Sequence, residues 1–451
     1  MSKRLLIVDI GSNALDFAMR AMDWGWEVMY YDQPRKNGER RMAGKGIVPK
    51  LIDFDLLRKK YIGWADLIFM PDNAFYTTLL EPYRQMGYPV FGPSPAAAEL
   101  ELDRGKGQAA MKAAGLKTIP SVAFDDYDVA AKFVEKHPTY LVSKPSGDCD
   151  KALSHVADDA ASLIFMLTER WKKNEKYRHD AKKHGFILQE KVKGCEMAVG
   201  GWFGPGGWSQ WKYENFEFKP LMAGDLGPNT GEMGTLSMYV RESKLFDIAL
   251  KPMTKLLKQL EYVGYVDNNG MIDEKGDFYP FEFTMRPGWP GFHNHIATSE
   301  GDPAQWMVDL LNGEDTLHVK ENVACVSVVL VIPDFPYGHL TNKEVSGIPV
   351  YGAGDREHIH LSEVMLADNV PVDIDGTTVR MPNLASAGDY IAVATGTGDT
   401  ITGARRSAYA AAKKVRMPTK PFYRPDIGVG RLIKGLPMIQ QHGFARNFRL
   451  V

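Results

Sequence analysis

Up to Gly92 the chain alternates short apolar runs with helical stretches, and this alternation constrains its fold more than any other feature. Residues 4–12 read as a buried strand ending in a glycine turn, 14–24 as a helix, and 26–32 as the next strand. Residues 66–70 and 88–92 continue the pattern. Apolar runs separated by helices predict a parallel sheet covered on both faces. Gly11-Ser12 reads first as a tight turn, since no further glycine pattern follows to cradle a phosphate.

Past Gly313-Glu314 the pattern changes. Residues 323–332 and shorter runs up to 390–395 read as antiparallel strands, and 400–416 as an amphipathic helix. At 451 residues the chain exceeds what one core serves, so three or four modules are expected. Lys and Arg number 54 against 56 Asp and Glu, a net −2, which gives no bulk field for nucleic acid or a membrane surface. Three cysteines, far apart and without metal-ligand spacing, point to a reducing compartment. With no signal peptide and no apolar run long enough to span a bilayer, a cytoplasmic protein is expected.

Between these halves lie the chemistry-bearing stretches. Pro93-Ser94-Pro95 opens a helix that contains Arg104-Gly105-Lys106-Gly107, where Arg104 and Lys106 suit a phosphate or a solvated basic edge. Lys144 leaves a strand over 140–145, and a Lys there is costly to desolvate without a partner. Ser146 to Lys151 reads as a polar loop able to close over a ligand. Residues 172–183 form a charged, solvated helix, 186–196 a strand, a connector and a carboxylate, and 225–234 a glycine-rich loop whose amides suit an anion. Residues 245–260 read as an amphipathic helix.

That helix leads to Phe278-Tyr279-Pro280-Phe281-Glu282-Phe283-Thr284-Met285-Arg286, reached through the hairpin turn Asp273-Glu274-Lys275-Gly276. Period 2 puts Glu282, Thr284 and Arg286 on one face, opposite Phe281 and Phe283. A carboxylate, a hydroxyl and a guanidinium in line suit a metal, its phosphate ligand and an anionic intermediate. A half-solvated strand with a Glu–Arg pair fits these residues equally well.

In this order the pieces resemble the ATP-grasp superfamily and, within it, the phosphoribosylamine–glycine ligase family. Gly227-Pro228-Asn229-Thr230-Gly231-Glu232-Met233-Gly234 is similar to that family's GPNTGGMG, and Phe422-Tyr423-Arg424-Pro425-Asp426-Ile427-Gly428 to its FYRxDIG. Val90-Phe91-Gly92-Pro93 with Ala96-Ala97-Ala98 resembles its VFGPxxxAA, and Thr395 to Thr400 its ALGDT turn. The resemblance spans residues 3–431. It implies a parallel pre-ATP-grasp α/β domain (1–100) and a two-lobed α+β ATP-grasp domain (101–320, small lobe about 120–190). A small antiparallel C-terminal domain (321–430) and a basic tail (431–451) follow.

The same resemblance implies an enzyme of purine-biosynthesis type that joins a carboxylate to an amine through an acyl-phosphate, using ATP and Mg²⁺ or Mn²⁺. Arg104 and Lys144 would bind ATP phosphates, Gln189, Glu190, Lys191 and Val192 would flank adenine, and Glu196 would bind ribose. Lys219 and Arg286 would be catalytic, with Asn229, Thr230, Gly231, Gly234 and Arg286 at the substrate. Glu282 and Thr284 would hold the metal, with Asn269 as a compensating oxygen. Partners would be small molecules, and the chain a monomer or homodimer.

Departures accompany the likeness. The family has Asn where Thr284 stands, and the lid reads Gly147-Asp148-Cys149-Asp150-Lys151. The first turn, GSGGREH in the family, is Gly11-Ser12-Asn13-Ala14-Leu15-Asp16, without its Arg or His. RFGDPE becomes Arg286-Pro287-Gly288-Trp289-Pro290-Gly291, followed by His293 and His295, which read as surface histidines. A same-fold ligase for another amine, or a lapsed nucleotide-binding scaffold, are the alternatives.

Overall fold

Five parallel strands in the order Lys50–Leu51, Glu27–Asp32, Arg4–Asp9, Leu67–Phe69, Val90–Phe91 build the N-terminal sheet of this computed structural model. The structure describes residues 2–34, 38–73, 75–146, 153–338 and 340–451. Alternation along the first strand splits the core. Leu5 and Ile7 pack with Phe17 and Phe69, whereas Leu6 and Val8 pack with Tyr31 and Ile62.

A second, four-stranded sheet forms the small lobe, in the order Ser121–Phe124, Phe186–Gln189, Val142–Pro145, His155–Val156. Its core is Tyr127, Leu163, Trp171 and Leu188. The third sheet has eight strands: Phe278–Thr284, Gly264–Ile272, Cys195–Gly204, Gly207–Glu217, Gly234–Val240, Ala324–Val331, Tyr390–Gly398 and Ile359–Leu361. Three antiparallel strands beyond residue 321 therefore extend the sheet of the large lobe, while Val364–Ile374 and Thr377–Ser386 pair in a separate ribbon. Gly276 has φ 80 in the predicted hairpin turn, which pairs Ile272 with Phe278. Among the described residues no helix is long and apolar enough to cross a membrane.

Several local expectations are corrected. The helix opened by Ser94 ends at Leu102, and a second runs Arg104–Ala113, because the Asp103 side chain accepts from the Lys106 amide and restarts it. Arg104 thus sits at a helix start, and Gly107 is needed because a Cβ there would lie 2.5 Å from the Leu100 carbonyl. The stretch 245–260 is broken into Lys244–Ala249, a 3₁₀ turn Lys251–Met253 and Thr254–Gln259, since Pro252 has no amide to continue the ladder. Within the expected loop 225–234, Leu226–Asn229 pairs with Pro220–Met222.

His293 and His295 are not surface residues. Both lie on the helix Gly291–Thr298, 1% and 3% exposed. Residues 431–451 are no loose tail. They carry the helix Leu432–Gln441, and Leu436, Ile439, Phe444 and Phe448 enter the core beside Met197 and Phe216. Arg424, the most buried charge of its motif, donates to Asp426 at 2.6 Å and to Asp225 at 2.7 Å. It thereby ties this C-terminal segment to the 220–229 hairpin.

Candidate functional site

One face of the eight-stranded sheet buries apolar residues such as Val199, Val266 and Phe283. Period 2 turns the intervening positions to the other face, where Glu196, Asn215, Glu217, Asp267, Asn269, Glu282 and Thr284 are brought together across four strands. Asn269 is the cross-strand partner of Glu282, and Asp267 of Thr284.

Glu282 is the focus. The Arg104 guanidinium donates to it at 2.7 Å and, through Nε, to the Pro145 carbonyl of the small lobe at 2.9 Å. Lys219 stands 3.7 Å from Glu282, 3.7 Å from Glu196 and 2.9 Å from Glu217. Lys144 lies over the Phe281 ring at 4.4 Å. Burial alone would raise the Glu282 carboxyl, but Arg104, Lys219 and Lys144 outweigh it and hold the group well below the usual range. Burial pushes the Lys144 ammonium down to about 8, with Glu282 opposing. For Lys219, burial is outweighed by Glu217, Glu196 and Glu282, which hold its proton tightly.

Glu196, the expected ribose ligand, accepts from Asn269 at 2.9 Å and from Arg431 at 3.3 Å. Arg431 was missed by sequence reasoning because it falls at the start of what reads as a tail. Asn269 also donates to Glu217 at 2.5 Å, while its amide oxygen is buried without a partner. In the connector between lobes, the amides of Glu190 and Lys191 donate to the Pro120 and Thr139 carbonyls. Among the described residues, their own carbonyls and the Val192 amide stay outside that ladder. Gln189 is buried with its amide nitrogen unpartnered.

The glycine-rich loop divides. The Thr230 hydroxyl and amide both donate to the Lys219 carbonyl, and Asn229 reaches the Ser154 carbonyl at 3.2 Å. Gly231 has open space around it, whereas Gly234 is a strand residue that a Cβ would drive to 2.4 Å from the Ser327 carbonyl. Gly234 therefore serves the sheet. Arg286 pairs with Glu101 at 3.2 Å and lies 3.9 Å from Asp72, and it also feels the charge of Glu217 and Glu282. The lid residues Gly147 to Lys151 lie outside the described residues.

Asp267 and Glu232 were also missed by sequence reasoning. The alternation Tyr265, Asp267, Asn269 on one strand was the available signal. Asp267 accepts from Asn215 and from the Tyr265 hydroxyl, both at 2.9 Å. Glu232 accepts from the Thr235 hydroxyl. Burial, with Glu217 nearby, pushes the Asp267 carboxyl up to about 7 and Glu232 well above the usual range. A separate cavity of about 160 Å³, walled by Phe17, Phe292 and Trp306, shares none of these residues.

No protein-family model matches the chain. The phosphoribosylamine–glycine ligase of Streptococcus pneumoniae strain R6 is 25% identical over 388 residues, 84% of this chain and 86% of its own length. That of Neisseria meningitidis serogroup B is 24% identical over 406 residues, 85% and 90% of the two chains. The solved phosphoribosylamine–glycine ligase of Thermotoga maritima superposes with a TM-score of 0.69 at 20% identity, covering 94% of this chain and 100% of that one. The biotin carboxylase domain of Hydrogenobacter thermophilus 2-oxoglutarate carboxylase, solved with MgADP, ADP and bicarbonate, gives 0.61 at 13% identity, covering 94% and 92%. The fold is that of the ATP-grasp enzymes, and the sequence resembles the phosphoribosylamine–glycine ligases.

Proposed function

We propose that this chain is an ATP-dependent ligase that activates a carboxylate as an acyl-phosphate and joins it to an amine. The observation that carries the reading is the convergence of Arg104, Lys144 and Lys219 on Glu282, on a sheet face that meets the small lobe at Pro145. Fixed cations in a cleft of low dielectric are what a triphosphate and a moving phosphoryl group need. With nucleotide present, Arg104 and Lys144 bind phosphate oxygens, Glu196 accepts from the ribose hydroxyls, and residues 189–192 lie along adenine.

The donor set fits a magnesium (or manganese) ion. Mg²⁺ takes one or two carboxylates together with phosphate oxygens and water. Glu282 supplies an ionised carboxylate, Thr284 a hydroxyl, and Asn269 an amide oxygen that lacks any other partner. When bound, such an ion neutralises charge on the phosphates. The chain's own residues do the rest. Lys219 holds the transferring group, and the loop around Asn229, Thr230 and Gly231 offers donors to the carboxylate substrate. Arg286 exchanges Glu101 and Asp72 for the acyl-phosphate. The carboxylate oxygen attacks the γ-phosphorus and ADP leaves. The amine nitrogen then attacks the acyl carbon, the C–O bond to phosphate breaks, and phosphate leaves with the proton that the nitrogen gives up.

Glycine with phosphoribosylamine, as in the relatives' names, is the first pair to test. A coupled ADP-release assay across amino acids, with and without phosphoribosylamine, reads it. ADP release that requires both a carboxylate and an amine supports the ligase. One observation, Thr284 in place of the family's Asn, favours a lapsed, nucleotide-binding scaffold. ATP binding with no ADP release from any pair would decide for that reading.

A further inference from the structure

The first turn and the Asp267 end of the sheet face differ from the nucleotide side in what their polar atoms lack. At the first turn, the Gly11 and Ala14 amides donate to Asp9 at 2.9 and 2.8 Å. The chain's own carboxylate thus occupies the anion-binding start of the helix Leu15–Asp23. Nearby cations are also engaged. Lys50 lies 2.6 Å from Asp32 and Arg20 2.7 Å from Asp16, which also bonds the His360 ring at 2.7 Å. A phosphate entering here would have to displace three carboxylates.

On the sheet face, Glu196, Glu217 and Glu282 each have a cation within 4 Å. Among the described residues Asp267 and Glu232 have none in ion-pair contact; their recorded partners are the neutral Asn215, Tyr265 and Thr235. The Asp267 Oδ1 atom is buried and unpartnered. So is the Oδ1 atom of Asn294, a residue that is 0% exposed. Its orientation is fixed, since the Asn294 nitrogen donates to the Thr235 and Cys325 carbonyls and the Ser237 hydroxyl. The vacant positions on Asp267 and Asn294 are oxygens, open to a donor. A phosphate brings only more acceptors, whereas an ammonium or guanidinium brings donors and the missing charge.

We infer, resting on the ligase reading above, that the acceptor amine is a phosphate-free cation with a second nitrogen, a small diamine or basic amino acid. Asp267 binds its charged nitrogen, and Glu232 supplies the second unpaired carboxyl. An unpaired buried carboxyl is costly, and a bound cation removes that cost when the amine arrives. Asp267 is then the residue that sets amine choice.

The experiment uses the full chain with a panel of amino acids as carboxylates and four amines: 1,4-diaminobutane, lysine, butylamine and phosphoribosylamine. ADP release and product mass are read. The diamine or lysine should exceed butylamine in kcat/KM by about tenfold or more, the worth of one charge-assisted hydrogen bond. Asp267→Asn should raise KM for the diamine by a similar factor, leaving its kcat and the butylamine KM nearly unchanged. A merely structural role would move all of them together. Glu232→Gln repeats the comparison should Asp267→Asn fail to fold, and retained binding of a non-hydrolysable ATP analogue checks both variants. Turnover of phosphoribosylamine above the diamines would overturn this inference and leave the ligase standing. Calorimetric binding of 1,4-diaminobutane that needs Asp267, with no ADP release from any pair, would overturn the ligase alone. No diamine binding to the analogue-loaded chain would overturn the inference.

Discussion

The carboxylates around Lys219 and those around Asp267 share one sheet face but live by different electrostatic rules. Near Lys219, Glu282 and Glu196 are half-buried and ionised, because Arg104, Arg431 and Lys219 outweigh desolvation. Around Asp267 the partners are amides and hydroxyls, and burial wins. The difference teaches that burial alone does not decide charge. Cations within ion-pair reach, together with the greater exposure of Glu282 and Glu196, do. A preorganised ionised cluster suits phosphoryl transfer, whereas carboxyls without a counterion suit a ligand that brings one.

Removing the carboxylate on which the cations converge should break the comparison most severely. Glu282→Gln keeps shape and hydrogen-bonding capacity but deletes the charge shared by Arg104, Lys219 and Lys144. ADP release should fall by at least ~100-fold, as for loss of one preorganised electrostatic contact to a transition state. Thermal melting and circular dichroism should stay close to the parent, since a neutral amide is easily buried there. Retained ADP release would remove Glu282 from the site.

Next comes Lys144→Ala, which strips one cation while leaving Glu282 paired to Arg104 at 2.7 Å. ATP affinity should weaken by ~10-fold or more, the worth of a charge-assisted hydrogen bond. Unchanged affinity, measured by calorimetric titration, would take the nucleotide away from this cleft.

Much of this was legible in the sequence, and the limits have a physical cause. The Lys at a strand end, the hairpin before Phe278 and the face carrying Glu282 and Thr284 follow from period 2 and one glycine turn, all local. Partners are not local. Arg431 reaches Glu196 across 235 positions and Asp16 meets His360 across 344, and no periodicity encodes such pairs. Nothing local marks Asp16 as half of such a pair. It is 1% exposed, and His360 and Arg20 outweigh its desolvation and hold its carboxyl well below the usual range. The burial of His293 and His295 had a readable signal, because Pro290-Gly291 ahead of them suits a helix start better than a strand. The break at Asp103 had one too, an N-cap residue two positions before a glycine.

A control for the comparison lies on the opposite face of the sheet. Glu214 is 3% exposed, its recorded partner is the Ser243 hydroxyl at 2.6 Å, and burial pushes its carboxyl up to about 7. The sign follows from proton binding. A folded-state value above the ordinary 4.5 means that the folded chain holds more protons than the unfolded one between 4.5 and about 7. Glu214 should therefore cost nothing below 4.5, cost progressively more as pH rises to about 7, and stay costly above it. Glu214→Gln should then gain stability relative to the parent at pH 8 but not at pH 4.5, by on the order of 1 kcal/mol. Melts of both proteins at the two pH values read it. An equal difference at both would show that Glu214 is ionised in place.

The smallest effect should come from Thr284→Asn, and it sharpens the comparison instead of breaking it. Thr284 lies on the strand of Glu282 and opposite Asp267, so it stands on the boundary between the ionised and the uncharged carboxyls. Both a hydroxyl and an amide oxygen can serve Mg²⁺, and the amide is the ligand that the resemblance implies. Exchange should keep ADP release or raise it by about threefold, within the spread expected when one neutral oxygen ligand replaces another. The Mg²⁺ concentration giving half-maximal rate should fall or hold, and the preference for diamine over butylamine should not move, because Asp267 keeps its partners Asn215 and Tyr265. A variant that binds ATP but releases no ADP would mean that the Thr284 hydroxyl does something an amide cannot. A variant whose amine preference shifts would mean that the boundary lies on the other side of Thr284, and that this strand position belongs to the amine.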